Sequence, residues 1–163
     1  MSVSRKILIV GSLALAIIGM GYVLYYAVFT EHQTLDGLGT ALATGFARAA
    51  ERHMPESQVA LDEAARRSFD YVRQVDAHGH WIGLAILLLI LGIGFERVAF
   101  TERVRVYLAL ALLSGAVLFP LGVLLEIWNR GPMPQAIAII GSGLVIAGLS
   151  GTTWGFWRSG ESS

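Results

Sequence analysis

The chain has 163 residues, of which 55% are hydrophobic and 15% are charged, and its formal net charge at pH 7 is zero. A soluble domain has roughly 45–50% apolar and about 25% charged residues, so this composition excludes an ordinary soluble domain. The absence of any basic block argues against a nucleic-acid partner. The chain contains no cysteine, which excludes disulfides, thiolate metal sites, covalent c-type haem and thiol redox chemistry.

Four stretches of the chain carry no charged side chain: residues 7–29, 81–95, 106–125 and 133–157. The second extends to residue 100 if the pair Glu96-Arg97 lies at an interface. Each stretch can then supply about the 17–25 residues needed to cross a hydrocarbon core roughly 30 Å thick. The sequence therefore predicts an all-α, polytopic membrane protein with four transmembrane helices.

The first stretch, with Arg5 and Lys6 before it, has two interpretations. One is a cleavable signal peptide, which begins with basic residues. However, the apolar run is about twice as long as a usual signal-peptide core, and no A-x-A-like cleavage site follows it. We therefore expect an uncleaved first transmembrane helix within residues 1–30.

The next segment, residues 31–77, has apolar residues at three- and four-residue spacing in each of its halves, which is typical of amphipathic helices. Pro55 is expected to close the first helix, since proline is excluded from helix interiors. The segment is predicted to be an external helical hairpin between transmembrane helices 1 and 2, and its second helix runs into the next span unless Gly79 breaks it. The stripes are Leu35, Leu38, Leu42, Phe46, Ala49 and His53, then Leu61, Ala65, Phe69, Val72 and Val75 or Asp76.

Lysine and arginine in the short flanks of the spans predict the orientation, because cytoplasmic loops are enriched in them. Both termini are therefore expected in the cytoplasm, with residues 31–77 outside, which in a bacterium is the periplasmic side of the inner (plasma) membrane. Residues 78–158 then hold transmembrane helices 2–4, and residues 159–163 form a cytoplasmic tail. The residues behind this prediction are Arg5, Lys6, Arg97, Arg103, Arg105 and Arg158, against Arg130 alone in the turn between spans three and four.

Span four contains a ladder of small residues at four-residue spacing. Small residues let membrane helices approach closely. The ladder predicts tight packing inside the chain, which we favour over a homo-oligomer seam. Its members are Gly143, Ala147, Gly151 and Gly155.

All four histidines, His32, His53, His78 and His80, lie outside the predicted spans or at their outer edge. His32 follows span one and His78 and His80 open span two, so the topology predicts one membrane depth for them. His53 closes the first external helix and is expected to fold back over them. Imidazole suits copper, zinc and iron. The alternative is that interfacial histidines only reach the headgroup region.

Carboxylates accompany two of these histidines in helical register. Asp36 follows His32 by four residues and Asp76 precedes His80 by four, and this spacing places side chains on one helix face. A carboxylate that accepts the second ring N–H is the usual partner of a ligating histidine. Glu126, at the outer end of span three, adds a carboxylate at similar depth. If the helix continues through Gly79, the two neighbouring rings diverge by about 200° and serve different sites.

The stretch AHGHWIGLAILLLILG, residues 77–92, resembles the helix of haem–copper oxidase and nitric oxide reductase large subunits in which an H-x-H pair serves two adjacent haems. His78, His80 and the apolar span behind them carry the resemblance. It implies a b-type haem held by His78 or His80 with His32 opposite, or a small relative or accessory of such enzymes. The chain lacks the further intramembrane histidines of that catalytic subunit.

No nucleophile motif, Walker A, G-x-G-x-x-G or H-E-x-x-H is present, so the sequence favours a protein that is not an enzyme on its own. Two hypotheses follow. In the first, the histidines bind copper or haem b and serve electron transfer or metal delivery to a respiratory complex. In the second, the protein is a structural or accessory subunit whose external hairpin docks a partner. The expected partners are the lipid bilayer and other membrane-complex subunits or a homo-oligomer, without nucleic acid.

Overall fold

The computed structural model describes residues 1–160, which form five α-helices and no β-strand. The last three residues of the predicted tail, 161–163, lie outside the described residues. A 3₁₀ turn, Phe95–Arg97, follows the third helix. The all-helical prediction is confirmed. The helices are α1 (Val3–Phe29), α2 (Glu31–Ala50), α3 (Met54–Gly94), α4 (Glu102–Leu125) and α5 (Pro132–Gly160).

Four helices, α1, α3, α4 and α5, are long and apolar enough to cross a membrane. They contain the four uncharged stretches of the sequence. Large apolar side chains project from the surfaces of these helices, Ile17, Ile86 and Ile146 among them. Apolar surface of this extent is rare on soluble monomers and is what lipid contact requires. The protein is therefore a multi-pass helical membrane protein.

Helix α3 runs without interruption through Gly79. Its 41 residues amount to about 61 Å of helix at about 1.5 Å per residue. That is roughly twice the thickness of a hydrocarbon core. The second helix of the predicted external segment and the second membrane span are thus one helix, and Gly79 does not break it.

Pro55 opens α3 and does not close α2, contrary to expectation. It lies in the first turn of α3, where the missing N–H of proline costs nothing. Helix α2 ends earlier, where Arg52 adopts a positive φ of 61°. The backbone N–H of His53 donates to the carbonyl of Arg48 at 2.8 Å and that of Arg52 donates to Ala49 at 3.0 Å. This pair of hydrogen bonds is a Schellman motif, which reverses the chain before α3.

The chain divides into two compact units, one of residues Met1–Met20 with Asp76–Ser163 and one of residues Gly21–Val75. In the first unit, α4 and α5 pack closely through glycines. A methyl group at Gly141 would overlap the backbone nitrogen of Phe119, and one at Gly122 would overlap that of Ala138. Backbone-to-backbone approach of this kind is available only to small residues.

The packing face of α5 differs from the predicted ladder. Gly143 has no heavy atom within 4 Å of its would-be Cβ among the described residues, and Ala147 is exposed, whereas Gly151 contacts Leu108 and Gly155 contacts Val98. The reason is geometric: a strict four-residue step drifts about 40° around a helix, so a straight seam must alternate steps of three and four. The buried seam does so: Gly141, Val145, Gly148, Thr152 and Gly155.

The first turn of α1 is capped by two acidic side chains, one from the 3₁₀ turn after α3 and one from the first residue of α4. The backbone N–H of Ser2 donates to Glu96 at 2.9 Å and that of Ser4 donates to Glu102 at 2.8 Å. Helix N-termini leave such N–H groups without partners inside the helix and favour negative charge. The arrangement fixes the start of α1 against the rest of the first unit.

In the second unit, α2 packs antiparallel to the first half of α3 through small residues. Ala41 and Gly45 are buried, and the Ser57 hydroxyl donates to the carbonyl of Gly45 at 2.8 Å. The side chain of Leu61 lies over Gly45. The two helices form a hairpin, and the side chains at their contact are small. The larger apolar residues of α2 lie elsewhere on the surface of that helix.

Candidate functional site

The histidine pair of α3 lies on continuous helix. His78 and His80 are two residues apart, so their side chains diverge by about 200° around the helix axis. Two rings that diverge in this way cannot both ligate one ion. Of the two geometries that the sequence left open, the structure has the one in which the histidines face different neighbours.

His80 is directed towards α4. Its ring centroid lies 4.7 Å from that of Phe119, with an angle of 47° between the ring planes. Aromatic contacts of this geometry contribute about 0.5–1.5 kcal/mol beyond the area they bury. Asp76 lies one turn earlier on α3, in the predicted register, and Glu126 directly follows α4. All three of these polar residues are half-buried.

His32 forms the carboxylate pair that its spacing predicts. Its Nε2 lies 3.3 Å from Oδ2 of Asp36, one turn further along α2. Both side chains are largely exposed, at 90% and 68%. An exposed pair of this kind contributes about 0–1 kcal/mol to stability. The contact places one ring nitrogen of His32 beside the Asp36 carboxylate.

His53 lies in the turn between α2 and α3, and its Nδ1 is 3.6 Å from Oε2 of Glu51. Contrary to expectation, it does not fold back over His32, because the two lie at opposite ends of α2, about 30 Å of helix apart. Within residues 1–160, no group of three or more histidine, aspartate or glutamate side chains is placed to hold a metal ion.

The hairpin carries a cavity that the sequence did not reveal. It has a volume of about 650 Å³ and lies between α2 and the first half of α3. Small residues form its α2 wall, including Gly37 and Ala41, and charged side chains stand around it. The sequence does contain a pattern that corresponds to this cavity, namely glycines and alanines three or four residues apart. Glycine within a helix, however, is usually interpreted as destabilising the helix.

The charges at this cavity are internally paired. Arg48 contacts Glu56 at 3.2 Å and Arg67 contacts Glu63 at 2.7 Å. The pKa of Glu63, in the charged half of α3, is lowered, mainly by the hydrogen bond from Arg66 and also by that from Arg67. Because each carboxylate already has an arginine partner, the cavity offers no net charge to a ligand.

The α2 stripe, which we define as Leu35, Leu42 and Phe46, is exposed to a degree that the sequence did not predict. The exposed fractions are 41%, 38% and 67%. Ala41 and Gly45, on another face of α2, occupy the contact with α3. The hairpin therefore presents large apolar side chains that are only partly covered within the second unit.

The fold and the spans define the chain as a multi-pass helical membrane protein. No known protein family, curated protein or solved structure matches it. Its function is therefore inferred from the surfaces and contacts described above.

Proposed function

We propose that the protein is a non-catalytic accessory subunit of a membrane complex. Its four spans anchor an external hairpin, formed by α2 and the first half of α3, and the α2 stripe binds a partner protein. The observation that carries this proposal is the exposure of Leu35, Leu42 and Phe46 on the surface of α2, away from its contact with α3.

The charges of residues 31–77 support a location outside the membrane. The segment contains eight acidic residues and five arginines. Even the lower estimates put the insertion of one such charge at the bilayer centre at about 2.5–3.5 kcal/mol. Thirteen of them exclude the segment from the hydrocarbon core. The arginine and lysine distribution favours both termini in the cytoplasm and the hairpin on the outer side of the inner membrane.

The sign of the charge favours a protein over a lipid surface as the partner of the α2 stripe. Helices that lie on membranes carry lysine and arginine on their polar face. Residues 31–77 have a net charge of −3, from five arginines and eight acidic residues, so anionic headgroups would repel the segment. An apolar stripe on an acidic hairpin is suited to a helix of another protein.

Phe46 is the expected centre of the interface. It is the most exposed member of the α2 stripe, and apolar anchors that enter a partner's pocket provide most of the energy of an interface. Full burial of a phenylalanine or leucine side chain contributes about 1.5–3 kcal/mol. Leu35 and Leu42 are two turns apart on the same face and extend the contact along α2.

Site-specific cross-linking tests the proposal. With a photoreactive phenylalanine analogue in place of Phe46, irradiation of native membranes is expected to give one discrete adduct with a partner subunit. The same analogue at Thr40, which is exposed on another face of α2 beside the cavity, is expected to give none. Phe46→Asp should reduce co-purification of the cross-linked partner more than tenfold, and Thr40→Asp should leave it unchanged. Equal adducts at both positions would contradict the proposal, and an adduct of twice the chain's mass would assign the stripe to self-association.

A second candidate function is binding of copper or haem b by the histidines, for electron transfer or metal delivery to a respiratory complex. The His32–Asp36 contact at 3.3 Å favours it, because a carboxylate partner is typical of ligating histidines. His80 with Asp76 is the other candidate ligand. Both would have to bind with few protein ligands, since the described residues hold no cluster of three.

Visible spectra of the oxidised and reduced protein in mild detergent, together with metal analysis, test this second function. It predicts a Soret band or stoichiometric copper or iron, lost or shifted in His80→Ala and His32→Ala. His53→Ala is the matched control, because His53 lies at the far end of α2 from His32. A featureless spectrum without stoichiometric metal would exclude the function.

A further inference from the structure

A groove on the surface of the first unit lies between the start of α1 and the middle of α4. Its volume is about 370 Å³, and it is lined by Val3, Lys6, Ile7, Val10, Gly11 and Leu113. Five of these six residues are apolar. A second groove of about 360 Å³ shares Leu113 and continues along α4 past Ser114 and Val117 to Leu118. The two grooves lie on the surface of the first unit and meet at Leu113.

Gly11 and Leu113 form the floor of this groove. Leu113 packs against the backbone at Gly11, where a Cβ would lie 2.5 and 2.8 Å from its two methyl groups, so the open space lies beside this contact. Val3 and Val10, on the rim, are more than half exposed, at 61% and 56%. In a membrane such a groove is filled by hydrocarbon, since burial of polar groups there is costly.

Lys6 marks the polar end of the groove. It is exposed and directly precedes the uncharged stretch of residues 7–29, which places it at the membrane boundary. Within the described part of the chain it has no carboxylate partner, in contrast to Arg5, which pairs with Glu96 at 3.2 Å. A lysine at this depth extends its ammonium group to the headgroup level while its stem stays among apolar groups.

We propose that this groove binds one acyl chain of a glycerophospholipid with an anionic headgroup, and that the ammonium group of Lys6 contacts the lipid phosphate. The apolar lining of the groove suits hydrocarbon, and the ammonium group of Lys6 favours a negatively charged headgroup. The inference concerns the first unit alone and does not depend on the proposed docking by the hairpin.

Native mass spectrometry of the full-length protein in mild detergent tests the proposal, with phosphatidylglycerol and phosphatidylcholine of identical acyl chains as probes. One tightly bound phosphatidylglycerol is expected. Lys6→Gln should weaken its binding about fivefold, which corresponds to the ~1 kcal/mol that one basic residue contributes near an anionic surface. Arg158→Gln is the charge-matched control, exposed at the end of α5, and should leave binding unchanged.

Two further variants separate the acyl chain from the headgroup. Val3→Phe and Val10→Phe, both on the exposed rim, fill the groove from its open side and should reduce the adducts of both lipids without disturbing Leu113. Far-UV circular dichroism verifies that the helices are retained. Equal binding of the two lipids by the parent protein, equal effects of Lys6→Gln and Arg158→Gln, or unchanged binding in both filling variants would overturn the proposal.

Discussion

Gly141→Ala is expected to be clearly less stable than the parent protein, whereas Gly143→Ala, two residues further along the same helix, is expected to be as stable or slightly more stable. The added methyl group at Gly141 would overlap the backbone nitrogen and Cα of Phe119 on α4. Backbone atoms cannot rotate away, so the two helices must separate. Overpacking of this kind costs about 1–3 kcal/mol.

Gly143 provides the matched control for this variant. No heavy atom of residues 1–160 lies within 4 Å of the position that its Cβ would take. Alanine is favoured over glycine in a helix interior by up to about 1 kcal/mol. Gly122→Ala, on the facing helix, should reproduce the loss seen for Gly141→Ala, because its methyl group would overlap the backbone of Ala138.

Unfolding of the three variants by sodium dodecyl sulfate in mixed micelles, followed by far-UV circular dichroism, measures these differences. Gly141→Ala and Gly122→Ala should unfold at a lower detergent mole fraction than the parent protein. Similar midpoints for Gly141→Ala and Gly143→Ala would show that Gly141 does not lie in the contact between α5 and α4.

The four membrane helices could be predicted from the sequence because each residue of a span must separately be compatible with lipid. The uncharged run of residues 133–157, for example, needs no knowledge of its neighbours to be assigned to α5. The packing face of α5 could not be predicted in the same way, because it depends on the position of α4. The predicted ladder included Gly143 and Ala147, which are outside the contact, and omitted Gly141 and Gly148, which lie within it.

The hairpin illustrates the same limit. Hydrophobic periodicity located the stripe that contains Leu42 and Phe46 and so predicted a helix. It also suggested that this stripe is the packing face. The actual contact with α3 uses Ala41 and Gly45, because small side chains let the two helices approach until the Ser57 hydroxyl reaches the carbonyl of Gly45. The contact between α2 and α3 is determined by side-chain size, which hydrophobic periodicity does not measure.

The contacts of the histidines with residues nearby in sequence could be predicted, but their contacts with other helices could not. The Asp36 partner of His32 follows from local spacing, and the structure has that contact. His78 and His80 lie within the long helix α3, and not at a helix end. The contact of His80 with Phe119 joins two helices that are distant in sequence. The cavity and the lipid-facing groove are likewise made by pairs of helices, so no single stretch of sequence indicates them.

We infer a four-span topology with both termini on one side of the membrane and the hairpin of α2 and α3 on the other. The chain has no cysteine, so single cysteines introduced at exposed positions report the topology directly. Gln58, on the hairpin, and Arg103, between spans two and three, are both exposed. The measurement is labelling by a membrane-impermeant maleimide in sealed right-side-out vesicles, before and after the membrane is opened with detergent.

We expect Gln58→Cys to be labelled fully in sealed vesicles and Arg103→Cys only after detergent is added. The difference should be nearly all-or-none, because a charged reagent does not cross the bilayer. Labelling of Arg103→Cys in sealed vesicles with protection of Gln58→Cys would reverse the orientation, and equal labelling of both would contradict the four-span topology itself.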